Sequence, residues 1–547
     1  MPTIEVSHAD LNNLVGRKLS LKQLEEDMLY TKGEIDGVDG DILKIDIKDT
    51  NRPDLWSAEG VAREIRFRYK PTHSDYKTKK SGVVVHVDPK LKDIRPYTAC
   101  AVVRGLNITE NALLQSIQLQ EKVAGTFGKN RKEIAIGIYD LHKIKSPIRY
   151  TVTSPTGMKF APLEFSKELT PKQILDQHPK GKEFGHLLNG MSYYPVFIDD
   201  AKEILSMPPI INSNHTGKVT EETHDVFIEC SGFNLELLKT ALNVIVVALA
   251  DRGGRIETVD VVYDSKKLTM PDLTPKRFTV SPKYINRLSG LNLKNEEIKK
   301  LLERSGYKVL NNTMDVLYPA YRQDIMHQAD IAEDVMITYG FNKIKPEMAS
   351  LVTRGSMTSI ETFSKKATDI MIGTGLQEVM SYILTNRDNL FTRMNMKTEL
   401  VAEIENPMSI NWSVFRNSLL PGLMEFLSQN THREFPQKIF EIGDVVELHP
   451  KTETRTNDVR RLAVALSDTA FGYQTATEML DFMMSSLGIA YKLVRTEHPS
   501  MIPGRAAKVV VKNKEIGLIG EIHAQVLNNW KLELPVAAFE IDLTSIC

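Results

Sequence analysis

Four acids late in the chain have the spacing best suited to chemistry: Asp324, Asp330, Glu333 and Asp334. The last three fall at i, i+3 and i+4, so a helix would set them on one face within a single turn. Like charges that close repel, and something must offset them. A helix start would do so, with Asp330 as N-cap and Glu333 at the third position, both favoured by the helix dipole. A hard cation held by carboxylate oxygens would also do so.

Other chemistry-bearing groups are weaker. His215, His224 and Cys230 fit no zinc spacing and lack a fourth ligand. Arg252-Gly253-Gly254-Arg255 reads as a helix-to-strand turn, not a phosphate loop. The Lys77-Thr78-Lys79-Lys80 run reads as a solvated linker.

The elements that must position the acids come in duplicate. Val6-Ser7-x3-Leu11-Asn12-x-Leu14-x-Gly16 returns as Val280-Ser281-x3-Ile285-Asn286-x-Leu288-x-Gly290. Arg52-x-Asp54-Leu55-x6-Ala62-x-Glu64 likewise returns as Arg322-x-Asp324-Ile325-x6-Ala332-x-Asp334. Ser7 with Asp10, and Ser20 with Gln23, stand at capping-box spacing. Gly306 is placed to close a helix carrying Ile298, Leu301 and Leu302. Two copies of one small α+β unit built around paired helices are expected, at 1–88 and 268–346. In the first copy Gly60 and Arg63 stand where the second has Asp330 and Glu333, so this fold does not demand acids there. That difference favours the cation.

Residues 89–267 read as mixed α/β, with strand-like runs at 98–103, 133–138, 226–229 and 256–263 and helical patterns at 109–124 and 235–250. After 347, helical patterns at 360–373 and 421–429 alternate with strands at 439–446, 461–465, 507–511 and 536–541. The expected fold class is α+β multidomain: the duplicated small domain, a central mixed α/β domain and a last domain at 347–547.

The composition agrees. At 547 residues, several domains are required. The 69 basic and 70 acidic residues nearly cancel, so bulk charge makes no case for nucleic acid, though a local patch is allowed. Three cysteines without a CxxC pair favour a reducing compartment. The start shows no secretory pattern, and the longest apolar run, 241–250, is far short of a bilayer span. A cytoplasmic location without membrane contact is expected.

The motifs also carry a resemblance. Asp49-Thr50-Asn51-Arg52-Pro53-Asp54-Leu55 with Gly60-Val61-Ala62-Arg63-Glu64 resembles the first domain of phenylalanyl-tRNA synthetase beta subunits. Tyr321-Arg322-Gln323-Asp324-Ile325, with Asp330, Glu333-Asp334 and Tyr339-Gly340, resembles that family's second copy. Leu205-Ser206-Met207-Pro208-Pro209-Ile210-Ile211-Asn212-Ser213 resembles the middle domain of its short archaeal and eukaryotic branch. Arg416-Asn417-Ser418-Leu419-Leu420-Pro421-Gly422-Leu423 and Phe440-Glu441-Ile442-Gly443 resemble its C-terminal, class II synthetase-like antiparallel-sheet domain.

The resemblance implies a beta subunit in a heterotetramer of two alpha and two beta chains, joining L-phenylalanine to tRNA(Phe) with ATP. The synthetic site belongs to alpha: the nearest Gly-rich stretch here, Gly517-Leu518-Ile519-Gly520-Glu521, lacks the arginine a class II enzyme needs for ATP. The family carries magnesium, shared with alpha, at the positions of Asp324, Asp330, Glu333 and Asp334. Four acids exceed the one or two carboxylates usual for that ion, so some would act through water or as supports.

The middle domain is expected to hydrolyse mischarged tyrosyl-tRNA(Phe). An apolar phenylalanine pocket rejects an added hydroxyl poorly, which makes a second, hydrolytic site useful. The resemblance places the pocket near Ser206, Asn212 and the 229–232 strand end, with Glu229 accepting the tyrosine hydroxyl and Phe197, Ser206 and Ser231 lining the slot. The family often has Asp-x-Thr where Glu229 and Ser231 stand. Two other classes remain open: a freestanding aminoacyl-tRNA deacylase, and a nucleic-acid-binding structural protein using the paired small domains.

Overall fold

The computed structural model describes residues 2–71, 75–310 and 314–547 and divides into two units, Met1–Glu347 and Met348–Cys547. The first unit holds the two small domains and the central one.

The duplication extends to topology. In the first copy Thr3–Ser7, His8–Val15, Leu21–Met28, Gly33–Asp39, Ile42–Ile47 and Ala58–Tyr69 follow as strand, helix, helix, strand, strand, helix. The second repeats that order with Lys276–Thr279, Pro282–Ser289, Asn295–Glu303, Lys308–Val309, Asp315–Tyr318 and Gln328–Tyr339. In both, among the described residues, the third strand lies between the other two. Ile4, Val6, Leu43 and Ile45 alternate inward beneath the first copy's helices, as a half-buried sheet requires. Gly16 and Gly290 close the first helix of each copy at φ +74° and +70°, where a side chain would be strained. The Ser20–Gln23 capping box is complete. At the first helix only half of the expected box forms: Ser7 accepts from Asp10 N, while the Asp10 carboxylate turns to Arg252.

Ten strands of the described residues form the central sheet. One path through it runs Ile211–Asn212, Ile204–Met207, Tyr194–Ile198, Ile148–Thr153, Lys79–Val87, Arg255–Val262, Tyr97–Arg104, Val226–Gly232 and Ile134–Asp140, with Lys267–Met270 also on Arg255–Val262. This corrects the first boundary. Lys79–Val87, expected inside a first domain ending at 88, runs parallel to both Arg255–Val262 and Ile148–Thr153 and so belongs to the centre. The Leu235–Asp251 helix, capped by Asn234, buries Leu238, Leu242, Ile245 and Leu249 against one face. On the other face Tyr139, Tyr150, Phe197, Phe227 and Val261 make a second core.

The second unit is built on a seven-stranded sheet among its described residues, antiparallel except where Gln377–Glu378 joins Gln437–Leu448. Helices Ser359–Gly373 and Tyr473–Ser486 pack one core through Ala367, Met371, Leu480 and Met483. Leu420–Gln429 and Ala524–Trp530 fill another with Leu423, Met424, Val526 and Trp530.

Candidate functional site

The acid cluster sorts into two pairs. Arg322, 2% exposed, donates through Nε and Nη2 to both Asp324 oxygens, at 2.8 and 2.5 Å, and through Nη2 to Asp334 Oδ2 at 2.7 Å. Tyr307 donates to the same Asp334 oxygen at 2.6 Å. Burial works against the Asp324 charge, but Arg322 and then Arg52 outweigh it and hold the carboxyl well below its usual range. The other pair stands further out. Asp330 Oδ2 accepts the amides of Met326 and His327 at 2.8 and 2.6 Å, and His327 is the N-cap. Asp330 is therefore the third residue of the box, one turn later than the expected N-cap role, and the exposed Glu333 takes Lys32 Nζ at 3.0 Å.

Among the described residues no three His, Cys, Asp or Glu side chains converge in a way that could hold a metal ion. The four acids together do not fit one magnesium, because Asp324 and Asp334 are committed to a guanidinium. Glu333 is exposed and Asp330 half-buried, and one or two carboxylates are what that ion commonly takes. The contrast with the first copy has its own cause. A Cβ on Gly60 would lie 1.7 Å from Asp54 O, and Arg63 reaches Asp251 of the central helix at 2.7 Å.

In the central sheet, alternation sends Phe227, Glu229 and Ser231 to the face away from the long helix. Glu229 pairs across the ladder with Gly137, and the Tyr139 ring lies back over that glycine. The Tyr139 oxygen lies 2.7 Å from Ser206 Oγ, 3.2 Å from Glu229 Oε1 and 3.4 Å from Asn212 Oδ1. Arg95, 3% exposed, reaches Ser231 Oγ at 3.3 Å and its carbonyl at 2.6 Å. Burial pushes the Glu229 carboxyl up to about 7, with Arg95, Tyr139 and Ser231 pulling partly the other way.

Glu229 is 2% exposed, and among the described residues its Oε2 finds no hydrogen-bond partner. It lines a groove of about 320 Å³ together with Asn212, Ile136, Pro209 and Ile211. Arg131, Lys180 and Lys218 also line this groove. Ser206, Glu229 and Ser231 thus belong to one polar cluster. Phe197 pairs across the strands with Ser206 and stacks on Tyr150 at 4.2 Å in the core on that face, and it is not among the residues lining the groove. Tyr139 and Arg95 were missed in the sequence. His224 Nδ1 lies 2.9 Å from Leu106 O and Cys230 packs in the helix-side core. The Arg252–Arg255 turn forms as expected, with Arg252 paired to Asp10 and Glu59.

In the second unit the two C-terminal motifs meet. Arg416 Nη1 donates to Glu441 Oε1 at 2.6 Å, and Glu540 accepts from Ser418 Oγ and the amides of Leu419 and Leu420. Gly517 and Gly520 lie in a strand, where a Cβ would strike Glu540 O at 2.0 Å and Arg505 O at 2.8 Å, so close backbones demand those glycines. Among the described residues no helix is long and apolar enough to cross a membrane.

Three segments match described families: residues 118–246 a B3/4 domain, 278–341 a tRNA synthetase B5 domain, and 344–543 a phenylalanyl tRNA synthetase beta chain CLM domain. The chain is 51% identical to the phenylalanine–tRNA ligase beta subunit of Pyrococcus abyssi, over 99% of both chains. It is 36% identical to that of Methanocella arvoryzae, over the full length of both. An N-terminal fragment of the phenylalanyl-tRNA synthetase beta-subunit from Pyrococcus horikoshii, solved by crystallography, is 51% identical, covers 62% of this chain and superposes with a TM-score of 0.61. With this identity along its whole length, and with the three domain matches in order, the chain belongs to the family of phenylalanine–tRNA ligase beta subunits.

Proposed function

We propose that this chain works with an alpha subunit, as a heterotetramer of two alpha and two beta chains in the cytoplasm. The complex attaches L-phenylalanine to tRNA(Phe) at the expense of ATP, with the synthetic site on alpha. The second unit serves as a class II-like scaffold for that partner. Asp330 and Glu333, which are not committed to the buried guanidinium, would help hold magnesium at the alpha junction, and the buried Arg322–Asp324–Asp334 group would stiffen the helix that carries them.

The central groove hydrolyses mischarged tyrosyl-tRNA(Phe). Water adds to the ester carbonyl, the ribose hydroxyl leaves with a proton, and tyrosine and free tRNA separate. The observation that carries this reading is the buried Glu229 Oε2, without a hydrogen-bond partner among the described residues, in a groove lined by both apolar and charged side chains. An unsatisfied buried acceptor is costly, and a ligand hydroxyl that reaches it removes the cost. Phenylalanine brings no such donor. Lys180 and Lys218 supply positive charge for the phosphates of the acceptor end, while Arg131 is held by Glu121 and the Ile210 carbonyl. The test is tyrosyl-tRNA(Phe) hydrolysis by the complex carrying Ser206→Ala or Glu229→Ala, both of which should slow it. Wild-type clearance by both variants would place the site elsewhere.

A further inference from the structure

We infer that Tyr139 is a positioning residue of the central groove: it fixes Glu229 so that one carboxyl oxygen stays free for a phenol-bearing aminoacyl ligand. The inference rests on the reading of that groove as the tyrosyl-ester site. Tyr139 is fully buried, and its oxygen lies within hydrogen-bonding distance of Ser206 Oγ and Glu229 Oε1. A phenol and a serine hydroxyl carry one proton each, and Glu229 in its ionised form carries none. The Tyr139 hydroxyl is set to donate to Ser206 Oγ, Glu229 Oε1 or Asn212 Oδ1, and its one proton serves Glu229 Oε1 when Ser206 turns its own hydroxyl proton to the Tyr139 oxygen. The chain of donors ends there, and Oε2 is left over.

The torsion that turns a glutamate carboxyl is soft, so an unanchored carboxyl would rotate towards whatever donor it found. Holding Oε1 removes that freedom. The groove that Glu229 lines also takes in Pro209 and Ile211, a setting for a ring that ends in a donor. A site built to bond a hydroxyl rejects the analogue lacking it far more strongly than an apolar pocket rejects an added one. Gly137 makes the arrangement possible, because a Cβ there would lie 2.1 Å from the Tyr139 oxygen.

The test uses the full chain in its complex. Tyr139→Phe keeps the ring, which packs 5.9 Å from Phe227, and removes only the hydroxyl. KM for tyrosyl-tRNA(Phe) hydrolysis should rise roughly tenfold with kcat within about twofold, the mark of lost uniform binding. Hydrolysis of phenylalanyl-tRNA(Phe) should keep its KM, so discrimination falls by the same factor. Ser206→Ala, at the far end of the donor chain, should shift KM in the same direction by less. A wild-type KM in Tyr139→Phe overturns the inference, and so does an equal loss of kcat on both substrates, which mere destabilisation would produce. Glu229→Ala, run beside them, separates the two failures. If it too is silent, the reading of the groove falls as well; if it alone slows hydrolysis, only the role of Tyr139 falls.

Discussion

Arg52 Nε lies 3.9 Å from Asp324 Oδ1, so a buried arginine of the first repeat faces a buried acid of the second. Arg52 grips Asp54 and Glu64 as Arg322 grips Asp324 and Asp334, at the equivalent positions of the duplicated motif. The two Arg–acid triads therefore sit side by side where the small domains meet. Asn51 and Gln323 add a hydrogen bond from one copy to the other at 3.1 Å.

Arg322→Met should be strongly destabilising. It leaves Asp324 and Asp334 buried with their main cation gone, and breaking a buried pair that way costs about 3–5 kcal/mol. Arg52→Met should cost a similar amount, since it strands the corresponding acids. Denaturant unfolding of the first unit measures both. A loss below about 1 kcal/mol in either variant would mean that the acids find other partners.

The open pair, Asp330 and Glu333, is tested by copying the first repeat. Asp330→Gly with Glu333→Arg removes the cap on Met326 and His327, at about 1 kcal/mol for the beta chain alone. It also swaps two anions for one cation. If the pair helps hold magnesium beside alpha, alpha–beta association should weaken and lose its dependence on magnesium. Association measured at high and low magnesium, for wild type and variant, checks this. Equal dependence in both would leave the pair as a cap and a partner for Lys32.

Glu229 makes stability depend on pH. Its carboxyl titrates near 4.5 when exposed and about 7 in the fold, raised by burial against the pull of Arg95, Tyr139 and Ser231. Between those values the native state binds more protons than the unfolded chain, so stability falls as pH rises, and above 7 the loss is complete. At about 1.36 kcal/mol per pH unit, the full effect is on the order of 3 kcal/mol. Glu229→Gln stays neutral throughout. Its stability relative to wild type should therefore climb from pH 5 to pH 8 in unfolding measurements. A flat difference would show that the carboxyl ionises in the fold as easily as in water.

What could be read from the chain follows from how local each signal is. The duplication was legible because its cap, apolar face and closing glycine lie within a few residues, as at Ser7, Leu11 and Gly16. The roles of Asp324 and Asp334 were not, since a carboxylate spacing looks the same whether a cation or a guanidinium fills it. Tyr139 was invisible for a different reason. Its partners Ser206 and Glu229 are 67 and 90 residues away, and the fold of the central sheet brings them together. Phe197 was ambiguous in the sequence, because an aromatic on a strand looks alike in a slot and in a core. The strand Lys79–Val87 was assigned to the wrong domain because alternation reports burial but not which strand lies alongside.

The second unit should not activate phenylalanine by itself. In a class II enzyme a strand–helix pair presents glycines and an arginine to ATP; here the strand Lys514–Ile522 carries Gly517 and Gly520, and neither it nor the helix Ala524–Trp530 that follows carries an arginine. Gly517 and Gly520 are fixed by neighbouring backbones instead of a nucleotide. Arg461, the nearest arginine to that strand's partner acid, is spent on Glu540 at 2.7 Å and on Glu447. Glu540 in turn clasps the amides that open the Leu420–Gln429 helix, so releasing Arg461 for a triphosphate would leave that acid with less compensation. The expected outcome is no phenylalanine-dependent ATP–pyrophosphate exchange by the purified chain, and exchange once an alpha subunit is added. Robust exchange by the chain alone would overturn the assignment of the synthetic site to alpha and require a nucleotide contact other than the glycine-bearing strand.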